Sequence, residues 1–198
     1  MPERTAFDAK TLERRYYIDE DVYDRETDRI FFRQWLFVGR VSEIAEPGAY
    51  MLFELESESI IVLRDYEGVL RAHHNVCRHR GTRLVNESTG IFPKSIQCGY
   101  HAWTYALSGE LTGAPFMDEV ESFCKEDYPL VSVAVAEWEG CVFVNLSEEP
   151  EPFEKVFSPL VDKFTNWDLV RLEIAHRIVY EIPANWKLIF QNYSECYH

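Results

Sequence analysis

Two short segments govern what this chain can fold into. Cys77-Arg78-His79 and Cys98-Gly99-Tyr100-His101 each offer one thiol and one imidazole. The spacing of two between Cys77 and His79 puts both side chains on one side of an extended loop, because alternate residues share a face. The spacing of three between Cys98 and His101 suits a tight turn. The 18 residues between His79 and Cys98 are enough to return the chain so that the two loops face each other. Around them the texture is of short strands. Residues 50–55 and 60–64 are rich in β-formers, and Asp65-Tyr66-Glu67-Gly68 reads as a hairpin turn before a strand over 69–76. Ser108-Gly109 is a second turn, between 104–107 and Leu111, and Glu139-Gly140 is a third, between 131–135 and 141–146. Strands this short, with turns this frequent, predict a small antiparallel sandwich or barrel. The expected fold class is mainly β with flanking helices (α+β).

Two thiolates and two imidazoles in this arrangement match a Rieske-type [2Fe–2S] cluster, with Cys77 and Cys98 on one iron and His79 and His101 on the other. Gly81 and Gly99 allow close approach of the main chain, whose N–H groups can donate to cluster sulfurs. Trp103 and Pro115 are expected to shield the site from water. Exposed histidine edges are the natural route for a single electron. The competing reading is a structural zinc site, which two Cys and two His can also form. Zinc modules usually begin with a C-x₂₋₄-C knuckle, and C-x-H with C-x₂-H departs from it. A free-standing Rieske ferredoxin is the other alternative.

Composition narrows the setting. Lys and Arg number 20 and Asp and Glu 34, a formal charge of -14. Such acidity repels phosphate backbones and argues against nucleic acid as a partner. The longest aliphatic run, Ile60-Ile61-Val62-Leu63, is too short to span a bilayer, so no membrane partner is expected. Five cysteines without an apolar leader in the first residues favour a reducing, cytoplasmic setting over a disulfide framework. Asp19 or Asp21 is positioned to cap a helix running to about Leu36. After the acidic break Glu148-Glu149-Pro150-Glu151-Pro152, a short helix is expected over 153–164, interrupted near Pro159. A strand over 172–182 and a helix over 185–197 follow, the helix with Trp186, Ile189, Phe190, Tyr193 and Tyr197 on one face.

The run Asn75-Val76-Cys77-Arg78-His79-Arg80-Gly81, with Cys98-Gly99-Tyr100-His101-Ala102-Trp103-Thr104-Tyr105, resembles the Rieske non-haem iron oxygenases of the ring-hydroxylating large-subunit type. The resemblance extends from Trp35-Leu36-Phe37-Val38-Gly39-Arg40 to His198. It implies a Rieske domain of three small antiparallel sheets followed by a catalytic domain, here represented by its first strand and helix. The divisions expected are 1–38 (arm and helix), 39–150 (Rieske domain) and 151–198 (connector and start of the catalytic domain). Respiratory Rieske proteins carry an extra disulfide-forming cysteine in each loop. Arg80 and Tyr100 stand where that pair is missing, so the lower-potential oxygenase or ferredoxin type is implied.

The resemblance also implies that Glu195 bridges a neighbouring subunit's Rieske histidine to a mononuclear non-haem Fe(II) site, and that His198 is one ligand of that iron. On a helix the two would share a face. Glutamate at 195 leans towards members that oxidise quaternary amines. The second histidine and final carboxylate of that site lie beyond His198, so the chain is read as truncated and not catalytically competent alone. Family partners would be an NAD(P)H-dependent reductase or ferredoxin as donor, a small-molecule substrate with O₂, and other copies in a homo-oligomer, often a trimer. His73, His74 and His176 are read as structural, Cys141 as a small core residue, and Cys124 and Cys196 as lacking partners. Arg78, Arg80 and Arg83 form a local basic patch.

Overall fold

Ile60, Ile61, Val62 and Leu63 form an unbroken apolar run, and all four are fully buried. A strand reads that way when both of its faces are covered. In the computed structural model, which describes residues 10–117 and 119–195, this run lies inside a four-stranded antiparallel sheet.

The strands are β1 (Leu36–Arg40), β2 (Ala49–Leu55), β3 (Glu58–Arg64), β4 (Leu70–His74), β5 (Thr89–Ile91), β6 (Ile96–Gln97), β7 (Thr104–Tyr105), β8 (Leu111–Gly113), β9 (Ala134–Trp138) and β10 (Cys141–Asn145). They make three sheets, ordered β1-β10-β9, β4-β3-β2-β5 and β6-β7-β8. All pairings are antiparallel. The alternation of β3 feeds two cores. Ile61 and Leu63, with Tyr50, pack with Ile96, Tyr105 and Leu111 from the β6–β8 side. Ile60 and Val62, with Met51, pack with Val142 and Val144 from the β1–β10 side. Each such side chain contributes roughly 1.5–3 kcal/mol on burial. The three-sheet expectation is met.

The described chain divides into two units: Arg33–Ile174, which holds all these strands, and a second that joins the segment before Phe32 to the segment after Ala175. In the first, the connector folds back onto β1 and β10. Trp35 Nε1 donates to the Glu151 carbonyl at 2.8 Å. Phe153 and Phe157, in a short helix (Phe153–Phe157), pack against Phe143. The helix breaks at Pro159 as expected, into a 3-10 turn over Ser158–Leu160. In the second unit, a helical turn (Arg15–Ile18) precedes a helix over Glu20–Glu26. Asp19 caps that helix, accepting from Asp21 N at 3.0 Å. Trp186–Ser194 forms the last helix, capped by Asn185.

Three boundaries differ from expectation. The N-terminal helix does not reach Leu36. It ends in a π-turn over Thr27–Phe31, and Leu36 opens β1 by pairing with Val144. A long-range strand partner overrides the local helical stripe there. The strand expected over 131–135 lies at Ala134–Trp138, and Ser132 makes only an isolated bridge to His73. The strand expected over 172–182 does not form. Alternation alone does not make a strand without a neighbouring ladder, and every residue from 171 to 184 is exposed. No described helix is long and apolar enough to cross a membrane.

Candidate metal centre

The two sequence segments fold into loops with one hydrogen-bond plan. In the first, Cys77 N donates to Thr82 O at 2.8 Å and Gly81 N donates back to Cys77 O at 2.9 Å. In the second, Cys98 N donates to Trp103 O at 2.8 Å and Ala102 N donates back to Cys98 O at 3.0 Å. The residue four beyond each cysteine takes a left-handed conformation, Gly81 at φ 69° and Ala102 at φ 57°. Gly81 is therefore needed for its backbone angle. Gly99 has open space around it and lines the cavity beside the second loop.

Asn75 pins the first loop. Its Oδ1 accepts from Leu84 N and Val85 N, both at 3.0 Å. Its Nδ2 donates to Val85 O at 2.8 Å and Ser59 Oγ at 3.1 Å. The side chain is buried, and all its hydrogen-bonding capacity is used. A single amide ahead of a ligand loop has no spacing signature, and this role was not read from the sequence. A polar residue inside an otherwise β-forming run was the available signal.

The loops bring the four candidate ligands together. Cys77 and Cys98 are 2% and 3% exposed, and both are free thiols. The Cys98 side chain and the His79 backbone N–H both act on the Cys77 thiol from close by. Burial pushes the Cys77 thiol up. His79 and His101 are half-buried, with ring centroids 4.8 Å apart, and line one cavity with Cys98. Burial first, then the neighbouring His101 and Arg80, push His79 down. His79 stacks on Trp103 at 4.8 Å with only 9° between the planes. Trp103 is buried and backed by Phe123 and Tyr128, as its shielding role requires. Pro115 is itself exposed and lines the open cavity of about 600 Å³ beside the histidines, with Tyr100 and Phe116.

Tyr105 is the second residue that sequence reading missed. Its hydroxyl lies 3.2 Å from Cys77 Sγ and accepts from Arg78 N at 3.0 Å. Burial, and then contact with Cys77, drive its phenol far above the ordinary range. It therefore stays protonated at physiological pH and can donate to a Cys77 thiolate.

This donor set fits a [2Fe–2S] cluster. Two thiols lie side by side in the core and two imidazoles lie side by side at the rim, with peptide and phenol donors aimed at a sulfur. Among the described residues, no three His, Cys, Asp or Glu side chains gather around a single-ion site.

The remaining candidates fall elsewhere. His73 is buried and His176 exposed. His74 Nδ1 pairs with Glu58 at 3.1 Å. Cys141 is half-buried, and Arg40 Nη1 donates to its sulfur at 3.3 Å. Exposed Cys124 donates to Glu126. Arg83 pairs with Glu54, which leaves exposed Arg78 and Arg80 beside the site. Glu195 is exposed and caps the last helix in an extended conformation rather than lying within it. His198, Tyr197 and Cys196 lie outside the described residues.

Comparison with known proteins agrees with this geometry. Residues 34–124 match the Rieske [2Fe-2S] domain, and 169–198 match the ring hydroxylating alpha subunit (catalytic domain). The carnitine monooxygenase oxygenase subunit of Acinetobacter pittii (strain PHEA-2) is 39% identical over 192 residues, covering 96% of this chain and 52% of that protein. The glycine betaine monooxygenase oxygenase subunit of Chromohalobacter salexigens is 37% identical, covering 95% and 42%. A solved quaternary ammonium Rieske monooxygenase, described for carnitine oxidation and inter-subunit electron transfer, superimposes with a TM-score of 0.85 at 38% identity. That match covers 93% of this chain and 51% of the other. The chain spans about half the length of the curated relatives it matches.

Proposed function

Because the chain belongs to the large subunits of the Rieske non-haem iron oxygenases, we propose that its four converging side chains carry the electron-transfer site of a quaternary-amine oxygenase. Cys77 and Cys98 would hold the inner iron and His79 and His101 the outer one. The bound [2Fe–2S] cluster supplies reversible one-electron chemistry. The protein's part is to bury the thiolates, to set the Tyr105 hydroxyl against the Cys77 sulfur, and to leave the imidazoles lining the open cavity. The single observation that carries this reading is a pair of buried thiols in the same two loops as a pair of half-buried imidazoles 4.8 Å apart.

In the complete oxygenase, electrons from NAD(P)H would arrive through a reductase or ferredoxin and pass to a mononuclear Fe(II). There O₂ would be used to hydroxylate or demethylate the substrate. Glu195 is proposed as the carboxylate that links a neighbouring subunit's histidine to that site, and His198 as one of its ligands. The homo-oligomer, a trimer in this reading, follows from that inter-subunit route. The quaternary-amine preference rests on the named relatives and on glutamate at position 195.

Metal and sulfide analysis of the purified chain, with visible and low-temperature EPR spectra, tests the core of the reading. Iron and acid-labile sulfide in equal amounts are expected, with a reducible red-brown chromophore whose EPR signal shifts in His79→Cys. A colourless protein with stoichiometric zinc would overturn it.

A further inference from the structure

One buried side chain ties the two ligand-bearing pieces of chain together without touching the site itself. His73, on β4, is 1% exposed. Its Nε2 lies 3.0 Å from the Leu107 carbonyl oxygen, in the turn of the β7–β8 hairpin. A carbonyl can only accept, so Nε2 carries the proton. The ring also fills the space over Gly109, where a Cβ would stand 2.7 Å from His73 Cε1. Nδ1 is buried with no hydrogen-bond partner.

The position of this contact gives it meaning. Four residues beyond His73 along the chain is Cys77. Two residues before Leu107 is Tyr105, whose hydroxyl touches the Cys77 sulfur. The His73–Leu107 and Tyr105–Cys77 contacts are therefore two rungs between the same two stretches. An apolar side chain would fill the slot without a stranded nitrogen but would leave the Leu107 carbonyl unpartnered. What it adds is one directed bond across the gap between the ligand-bearing pieces. Burial favours the neutral ring that makes this bond.

We propose that His73 is a positioning residue for the iron–sulfur site, holding the hairpin that follows the second loop at the separation from β4 at which the two thiols meet. This rests on the cluster reading above.

The test compares His73→Leu, His73→Phe and His73→Gln in the full chain. The measurements are the rate of cluster bleaching in excess chelator, EPR line shape, and melting of the cluster-free proteins. His73→Phe keeps a ring over Gly109 and removes the bond, so it remains informative if His73→Leu fails to fold. Loss of the bond is expected to speed bleaching about five- to tenfold and to broaden the EPR signal. His73→Gln, whose amide can reach the same carbonyl, is expected to return within about twofold of the parent. The cluster-free His73→Phe chain trades the stranded Nδ1 for an unpartnered Leu107 carbonyl, so it should melt within about 4 °C of the parent. Parent-like bleaching and EPR in His73→Phe would overturn the proposal, as would equal bleaching of the Phe and Gln variants. A parent chain without iron and sulfide would instead sink the cluster reading, which separates the two failures.

Discussion

Removing the Asn75 side chain should cost more than any other single truncation of a polar residue near the first loop. Asn75→Ala deletes four hydrogen bonds at 2.8–3.1 Å, two to Val85, one to Leu84 and one to Ser59. A buried hydrogen bond is worth about 1 kcal/mol net, and stranded partners cost more. The Leu84 N–H is buried and has no route to water. The expected loss is about 3–4 kcal/mol. At roughly 2–4 °C per kcal/mol for a chain of this size, the melting temperature should fall by about 6–16 °C. Leu84 and Val85 form the return limb of the Cys77 loop, so iron content should fall as well. Asn75→Asp separates the contributions. It keeps both acceptor bonds and turns Nδ2 into an oxygen facing the Val85 carbonyl, so it should lose about half as much or more. Thermal unfolding of the iron-loaded proteins by circular dichroism, with iron assays alongside, provides the measurement. A drop below about 2 °C for Asn75→Ala would refute the claim that this amide holds the loop.

Four further outcomes follow from the same structure. Tyr105→Phe removes a donor to Cys77 Sγ and should lower the reduction potential by on the order of 40 mV, about 1 kcal/mol of differential stabilisation, read by protein-film voltammetry. At Asp65, burial works to raise the carboxyl, but Arg71 and the Val69 and Glu67 N–H groups outweigh it and hold it below its ordinary 3.8. Its contribution is therefore complete above about pH 4 and lost as pH falls through the lowered folded value, so Asp65→Asn should melt lower at neutral pH and show a flatter acid limb. Ala102→Gly relieves a left-handed alanine at φ 57° and should raise stability by up to about 1 kcal/mol with iron content unchanged, checked by urea unfolding. Glu26→Ala strands the buried Lys187 ammonium and the Trp186 indole N–H, costing about 3 kcal/mol, and should speed amide exchange across Trp186–Ser194.

Much of the frame was legible because its information is local. Asp65-Tyr66-Glu67-Gly68, Ser108-Gly109 and Glu139-Gly140 are turn chemistry read within a few residues, and the hairpins fall where they predict. The four candidate ligands were legible because their spacing is unusual. What was not legible depends on partners far along the chain. Leu36 belongs to a strand because Val144 lies opposite it. The alternation at 172–182 looks like a strand, yet no described neighbour pairs with it. Asn75 and Tyr105 escaped for a different reason. Each is one polar group whose meaning comes from the other groups around it, and a lone tyrosine in a β-run is more often plain core.

The inward thiols and outward imidazoles follow from loop geometry more than from the chemistry of either residue. In both loops the cysteine N–H closes onto a carbonyl five residues later, and its own carbonyl receives an N–H from four residues later. That closure puts each cysteine at the base of its loop, next to β4 in one case and β6 in the other, where the sheets meet and water is excluded. The histidine, two or three residues on, is carried to the tip. Spacings of two and three both place the histidine ahead of the left-handed residue that turns the chain back, Gly81 or Ala102, which stands at the same remove from each cysteine. An electron placed at such a site has an insulated side and an open side. The open side is the one bearing His79 and His101, so under the proposed cluster reading the closure of the loops would set where the electron leaves.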